Sequence, residues 1–129
     1  MLTLYYWPGA SSVVPHIVLE EIGAPYERQV VNLAQGEHKS GAYLKINPHG
    51  KVPALAVDGT VLTENVAILT YPAKRFPETQ LLPRGIIEEA NCCTSVGLCL
   101  PTFCTTLLAT MSAPGLGCVK TRRRATTIE

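Results

Sequence analysis

Strand-like and helix-like segments alternate through the first 85 residues, and this order restricts the fold more than any other feature of the sequence. The apolar run over residues 2–7 predicts a strand that Pro8-Gly9 ends. Apolar residues at helical spacing over residues 14–22 predict a helix that stops at Gly23. Alternating apolar and polar residues over 26–33 predict a second strand. The chain therefore begins with a β-α-β unit.

A hairpin and a final helix follow this unit. Asp58-Gly59 is a strong two-residue turn signal between two short apolar runs. The remaining predicted elements are a polar loop over residues 35–41, a helical turn over 42–46 ended by Asn47-Pro48, strands over 52–57 and 61–62, and a helix from Thr63-Glu64 to Phe76. The order β-α-β-α-β-β-α predicts an α/β fold of the thioredoxin-like type, with a four-stranded mixed sheet.

The composition changes at Gly85. No charged residue lies between Glu89 and Lys120, and several Gly and Pro residues interrupt any helical period. We therefore expect two parts: a thioredoxin-like domain over 1–84 and an irregular or poorly ordered tail, rich in Cys and Thr, over 85–129. The uncharged stretch over 95–113 is Thr-rich and contains Pro101, so membrane insertion is not expected.

Composition and charge exclude several classes of function. The 129 residues are 47% apolar, and their formal net charge of +1 disfavours a dominant role in nucleic-acid binding. No basic, apolar leader opens the chain, which predicts a cytoplasmic protein. All five cysteines follow residue 91 and match neither a disulfide framework nor a zinc-site spacing, and His16 and His49 have no ligand-like partners. No metal is expected.

Three motifs follow one another along the chain: Tyr5-Tyr6-Trp7-Pro8-Gly9-Ala10-Ser11-Ser12 with Pro15-His16-Ile17, then Asn47-Pro48-His49-Gly50-Lys51-Val52-Pro53-Ala54-Leu55, then Leu62-Thr63-Glu64-Asn65-Val66-Ala67-Ile68-Leu69. Together they resemble the N-terminal domain of bacterial glutathione S-transferases. The resemblance covers about residues 1–84 and is nearest to the beta class, with theta-like features such as Gly36-Glu37-His38. It implies a glutathione-binding domain and a role in detoxification.

The chain also departs from the family it resembles. Ser11 stands where beta-class members carry Cys, and Pro72 interrupts a helix that usually reads Tyr-Leu-Ala, at a cost of about 3 kcal/mol. Residues 85–129 match nothing in the helical C-terminal domain of the family, which carries most of the electrophile pocket. A truncated or frame-disrupted gene would produce such a tail, and weak or absent turnover is expected.

Ser11 is the first candidate for the catalytic residue. Its hydroxyl, at the start of the first predicted helix, could donate a hydrogen bond to the glutathione thiolate and so lower the pKa of the thiol. Ser12 and Tyr6 compete for this role. Each has a simpler interpretation: either serine as a helix N-cap, and Tyr6 as a strand aromatic that packs against the sheet.

The resemblance implies that six residues bind glutathione. A cis Val52-Pro53 bond would turn the main chain of Val52 outward to pair with the tripeptide, and Glu64-Asn65 would hold its γ-glutamyl end at a helix N-terminus. His38 and Lys51 would meet the glycine carboxylate. The simpler interpretations are a strand-entry proline, a helix cap with Thr63 as the N-cap, and solvated loop residues.

Three functions from different classes remain open. The first is a glutathione transferase that activates the thiol for attack on a small electrophile, with glutathione as co-substrate and homodimerisation possible by family resemblance. The second is a non-catalytic glutathione-binding or interaction remnant. The third is a glutaredoxin-like oxidoreductase, which is disfavoured because the first 91 residues contain no cysteine.

Overall fold

The computed structural model describes residues 1–99, which form a four-stranded sheet with helices on both faces. The elements are β1 (Leu2–Tyr6), α1 (Val13–Ile22), β2 (Tyr26–Val30), α2 (Gly41–Leu44), β3 (Ala54–Val57), β4 (Thr60–Thr63), α3 (Asn65–Arg75) and α4 (Ile86–Cys99), with 3-10 turns at Glu37–Lys39 and Pro77–Thr79. The strand order is β2-β1-β3-β4. β1 pairs parallel with β2 and antiparallel with β3, and β3 pairs antiparallel with β4. The predicted mixed sheet is confirmed.

The central strand β1 separates two layers of side chains. Leu4 is fully buried and lies opposite Leu55 of β3. The same cluster contains Leu19 of α1 and Ile68 of α3, so both helices cover this face. Tyr5 points to the opposite face, since successive strand residues alternate, and its ring lies 6.0 Å from the ring of Tyr43 in α2. The sheet therefore has α1 and α3 on one side and α2 on the other.

The predicted turns lie where the sequence indicated. Gly23 ends α1 with a φ of 68°, a left-handed conformation that glycine adopts without strain. Asp58 and Gly59 form the two-residue loop between β3 and β4, with φ values of 45° and 90°. The N-terminal ammonium of Met1 pairs with the Asp58 carboxylate beside this turn. The two-residue turn fixes the register of the hairpin.

Helix α3 begins later than predicted, at Asn65, and ends at Arg75, one residue before the predicted Phe76. Thr63 belongs to β4, and the N-cap is Glu64, whose side chain makes no capping hydrogen bond. The interpretation of Thr63 as the cap is therefore wrong, because the strand continues one residue further than the apolar pattern indicates. Pro72 does not end the helix, which continues to Arg75. The Pro72 ring is fully buried, and this packing offsets the hydrogen bond that proline cannot donate.

The segment after Gly85 begins with a helix, which corrects the expected irregularity for residues 86–99. The start of α4 contains Glu88, Glu89 and Ala90, which favour helix, and Gly97 is tolerated inside it. The remainder of the predicted tail, with most of the uncharged stretch over 95–113, lies outside the described residues. Within 1–99, none of the helices has the length and apolar character needed to cross a membrane.

Candidate functional site

An open cleft of about 260 Å³ lies where three loops meet at one end of the sheet. The loops are the one between β1 and α1, the one that enters β3, and the junction between β4 and α3. The residues that line the cleft are Ser11, Asn47, His49, Lys51, Val52, Pro53, Thr63, Glu64 and Asn65. Residues separated by up to 54 positions in the sequence thus share one surface. Six of the nine predicted site residues are among them.

The two adjacent serines have different environments. Ser11 is partly exposed and lines the cleft. Ser12 is fully buried, and its hydroxyl accepts from the Trp7 N–H at 3.1 Å and donates to the Trp7 carbonyl at 3.0 Å. Its hydroxyl hydrogen is therefore already used inside the protein. Of the two, only Ser11 lies on the cleft surface, and its catalytic role stays a prediction.

The loop that enters β3 contributes backbone to the cleft. The Val52-Pro53 peptide bond is cis, as predicted from the sequence. Asn47, only 1% exposed, accepts from the His49 N–H at 3.1 Å and donates to the Lys51 carbonyl at 2.7 Å. The Val52 N–H makes no hydrogen bond within residues 1–99. The Val52 N–H, without a partner among the described residues, therefore lies beside the cleft. The buried Asn47 side chain holds the loop in which it lies.

The junction before α3 brings a carboxylate and a helix N-terminus to the same surface. Glu64 has φ 66° and ψ 130°, a conformation that is rare for a residue with a side chain, and its side chain is exposed. Asn65 is 5% exposed, and its Oδ1 is buried with no hydrogen-bond partner among residues 1–99. Since the first N–H groups of a helix have no partner in the helix, this end can receive an anion.

Three predicted site residues lie outside the cleft lining. Ser12 is one of them. Tyr6 packs against the core, and its ring lies 5.6 Å from the ring of His16, on the α1 side of the sheet. His38 lies in the first 3-10 turn, and its buried Nδ1 has no hydrogen-bond partner in the described part of the chain. The packing interpretation of Tyr6 fits its surroundings.

The structure adds residues to the site that sequence reasoning did not assign. Asn47, His49 and Thr63 line the cleft beside the predicted ones. The first two lie inside the motif that runs from Asn47 to Leu55, so the motif itself was the available signal. Lys51 and His49 bring the basic groups of the cleft, and Glu64 brings its acidic group. The cleft can therefore receive a ligand that carries charges of both signs.

A second groove, of about 280 Å³, lies on the outer surface of α1. It is lined by His16, Ile17, Glu20 and Glu21. Tyr26 donates a hydrogen bond to Glu20 at 2.5 Å, and this bond lowers the pKa of the Glu20 carboxyl. None of the predicted site residues lines this groove. Among residues 1–99, no group of three or more His, Cys, Asp and Glu side chains is arranged to hold a metal ion.

Both a family model and individual known proteins match the N-terminal part of this chain. The family model for the glutathione S-transferase N-terminal domain matches residues 1–74. Glutathione S-transferase GstA of Escherichia coli O157:H7 is 45% identical over 83 residues, which are 63% of this chain and 41% of that protein. Maleylacetoacetate isomerase of Pseudomonas aeruginosa is 42% identical over 89 residues, 67% of this chain and 42% of that one. The chain spans about two fifths of the length of these relatives.

Solved structures with the same fold include complexes with glutathione. A glutathione transferase homologue from Sulfitobacter, solved with bound glutathione, has a TM-score of 0.73 and 39% identity over 77% of this chain and 48% of its own. Human glutathione transferase theta-2, in complex with glutathione and an unknown ligand, has a TM-score of 0.72 and 29% identity over 78% of this chain and 42% of its own.

Proposed function

Because this chain belongs to the glutathione S-transferase family through its N-terminal domain, we propose that its cleft binds glutathione and favours the thiolate of the bound tripeptide. One observation carries the proposal: Ser11, the Val52 backbone and the N-terminus of α3 line one cleft. These three features are complementary to three parts of glutathione, which are, in the same order, the thiol, the peptide backbone and the charged γ-glutamyl end.

Backbone pairing holds the centre of the ligand. The unpaired N–H of Val52 donates to the cysteinyl carbonyl, so that the tripeptide lies along the loop like an added strand. A backbone donor recognises the peptide group whatever its side chain, and the thiol is left free to point towards Ser11.

The γ-glutamyl end lies at the N-terminus of α3. Its carboxylate accepts from the free N–H groups there, where the helix dipole favours negative charge. The Glu64 carboxylate accepts from the ligand's ammonium group in a charge-assisted hydrogen bond. The exposure of Glu64 and its position in the cleft lining support this role.

The basic residues of the cleft bind the glycine end of glutathione. Lys51 and His49 line the cleft, and both can donate to the glycine carboxylate. His38 was expected to share this role. It lies outside the lining, so we assign the contact first to Lys51.

Ser11 acts on the thiol. Its hydroxyl donates to the sulfur, which stabilises the thiolate and lowers the thiol pKa, while the thiol proton passes to solvent. The thiolate then attacks an electrophilic carbon. The new S–C bond forms as a halide leaves with its bonding electrons, or as the π bond of an activated double bond breaks and its electron pair takes up a proton from solvent. Glutathione and a small electrophile are thus the proposed partners, in a cytoplasmic protein, and homodimerisation stays a prediction by family resemblance.

We further expect weak turnover from the 129-residue chain. By the family resemblance most of the electrophile pocket lies on the helical C-terminal domain, and this chain matches only about two fifths of the length of its relatives. An assay with glutathione and a chloronitrobenzene substrate measures this directly. Robust turnover that Ser11→Ala abolishes would contradict the expected weakness and identify Ser11 as catalytic. Binding without any turnover would favour the alternative, a non-catalytic glutathione-binding protein.

Calorimetric titration of the full chain with glutathione tests the binding proposal. Glu64→Gln removes the charge that faces the ligand's ammonium group, so we expect Kd to rise by about 10-fold or more. Glu21→Gln is the matched control, since it makes the same change on the outer surface of α1, away from the cleft. Absence of binding by the unmodified chain, or equal effects of the two variants, would refute the proposal.

A further inference from the structure

Two buried side chains hold one backbone carbonyl beside the cleft. The Tyr43 hydroxyl and the Asn47 amide nitrogen each donate to the Lys51 carbonyl at 2.7 Å. Tyr43 is 4% exposed and Asn47 is 1% exposed. A carbonyl oxygen has two lone pairs, so these two donors satisfy it completely. We call this arrangement the Lys51 clamp.

The Lys51 clamp determines the direction of the next N–H group. The peptide bond between Lys51 and Val52 is trans, and in a trans peptide the C=O and N–H groups point in opposite directions. Because the Lys51 carbonyl is turned inward to Tyr43, the Val52 N–H is turned away from Tyr43. Val52 lines the cleft, and this N–H has no partner within the described part of the chain.

The surroundings make the Lys51 clamp rigid. Burial raises the pKa of the Tyr43 hydroxyl, which therefore keeps its proton at neutral pH and can donate. The Ser40 hydroxyl accepts from the Tyr43 N–H at 3.2 Å and so anchors the start of α2. Gly50 packs closely as well: a Cβ atom there would lie 3.0 Å from the His38 carbonyl oxygen. The loop has little room to change its path.

We propose that Tyr43 and Asn47 are positioning residues for glutathione, because through the Lys51 carbonyl they preset the Val52 N–H in the orientation that receives the tripeptide. This inference rests on the proposed function. Neither residue needs to touch the reacting sulfur. Loss of either donor frees the Lys51–Val52 peptide to rotate, so that part of the binding energy must be spent on ordering it.

Two conservative variants of the full chain separate positioning from folding. Tyr43→Phe removes only the donating hydroxyl, and Asn47→Asp replaces the donating amide with an acceptor of the same shape. Tyr5→Phe is the matched control: its ring packs against Tyr43, but its hydroxyl has no hydrogen bond within residues 1–99. Glutathione Kd is measured by calorimetry. The backbone signals of Lys51 and Val52 are measured by NMR without ligand.

We expect Tyr43→Phe to raise Kd by about 3- to 10-fold, the effect of one net hydrogen bond, and to shift both backbone signals. Asn47→Asp should have at least as large an effect, and Tyr5→Phe should leave Kd and both signals unchanged. If the unmodified chain binds but Tyr43→Phe binds equally well, the inference alone is overturned, even where the variant lowers the melting temperature. If the unmodified chain binds no glutathione, the proposed function fails as well.

Discussion

The adjacent residues Ser11 and Ser12 have different roles: Ser12 bonds the backbone inside the protein, and Ser11 lines the cleft. The Ser12 hydroxyl closes the turn between β1 and α1 by bonding both backbone groups of Trp7. The Ser11 side chain makes no hydrogen bond within the described residues and faces the cleft. The fold therefore needs the second serine, and the first is free to meet a ligand.

Alanine substitutions should separate these two serines. Ser12→Ala leaves the Trp7 N–H and carbonyl without their partner inside the protein, so we expect it to lower the free energy of unfolding by about 1–3 kcal/mol. Ser11→Ala should change it by less than about 0.5 kcal/mol. Urea denaturation of both variants measures the difference. Equal losses in the free energy of unfolding would mean that the Ser12 hydroxyl does not stabilise the turn through its hydrogen bonds to Trp7.

Gly50 and Gly23 offer a second matched pair. Both have positive φ, 60° and 68°, so alanine is strained at either position by roughly 1–2 kcal/mol. Only at Gly50 does the added Cβ meet a neighbour, the His38 carbonyl oxygen at 3.0 Å. We expect Gly50→Ala to destabilise more than Gly23→Ala in urea denaturation, and to weaken glutathione binding because it displaces the loop before Val52. An equal loss of stability, with binding intact, would contradict this packing.

The helices differ in how they are attached to the sheet. α1 and α3 contribute Leu19 and Ile68 to the main cluster and so share its hydrophobic stabilisation. α4 begins with Ile86 and Ile87, which are 85% and 69% exposed. α4 contacts α3 through, among others, a salt bridge at 2.6 Å between Lys74 and Glu89. We infer that α4 adds less stability than α1 or α3.

The bridge between α3 and α4 should be weak and sensitive to salt. The hydrogen bond that Lys74 donates to the Glu89 carboxylate, together with the negative charge of that carboxylate, raises the pKa of Lys74, so any stabilisation is present below the ordinary lysine pKa and is lost as pH rises through the raised value. Lys74 is largely exposed, and Glu89→Gln should therefore change the free energy of unfolding very little. Urea denaturation at low and high salt measures this. A larger loss that persists in high salt would contradict it.

The cleft is a property of the assembled chain, because its walls come from three separate loops. If glutathione binds there, it must stabilise the folded state as a whole. At a glutathione concentration 100 times Kd, linkage predicts a gain of about 2.7 kcal/mol. Thermal unfolding with and without glutathione measures this as a rise in melting temperature. Glu64→Gln should show a smaller rise at the same concentration, whereas an equal rise would point to binding elsewhere.

Local chemistry determined most of the fold in advance. Gly23 and Asp58-Gly59 predict their turns because few other residues adopt positive φ without strain, and the alternation around Leu4 marks the buried side of β1. The extent of β4 and the resulting later start of α3 could not be predicted. Both depend on packing against distant residues, which the local pattern does not record.

The sequence by itself determined the order of elements along the chain, the hairpin and the identity of six cleft residues, since short motifs carry this information in consecutive residues. Only the tertiary structure decided between Ser11 and Ser12 as the residue that faces the cleft, and only it joined Tyr43 to the Lys51 carbonyl. The direction in which a side chain points, and how deeply it is buried, depend on contacts between segments far apart along the chain. A hydroxyl faces a ligand or the protein interior according to the neighbours that folding brings to it.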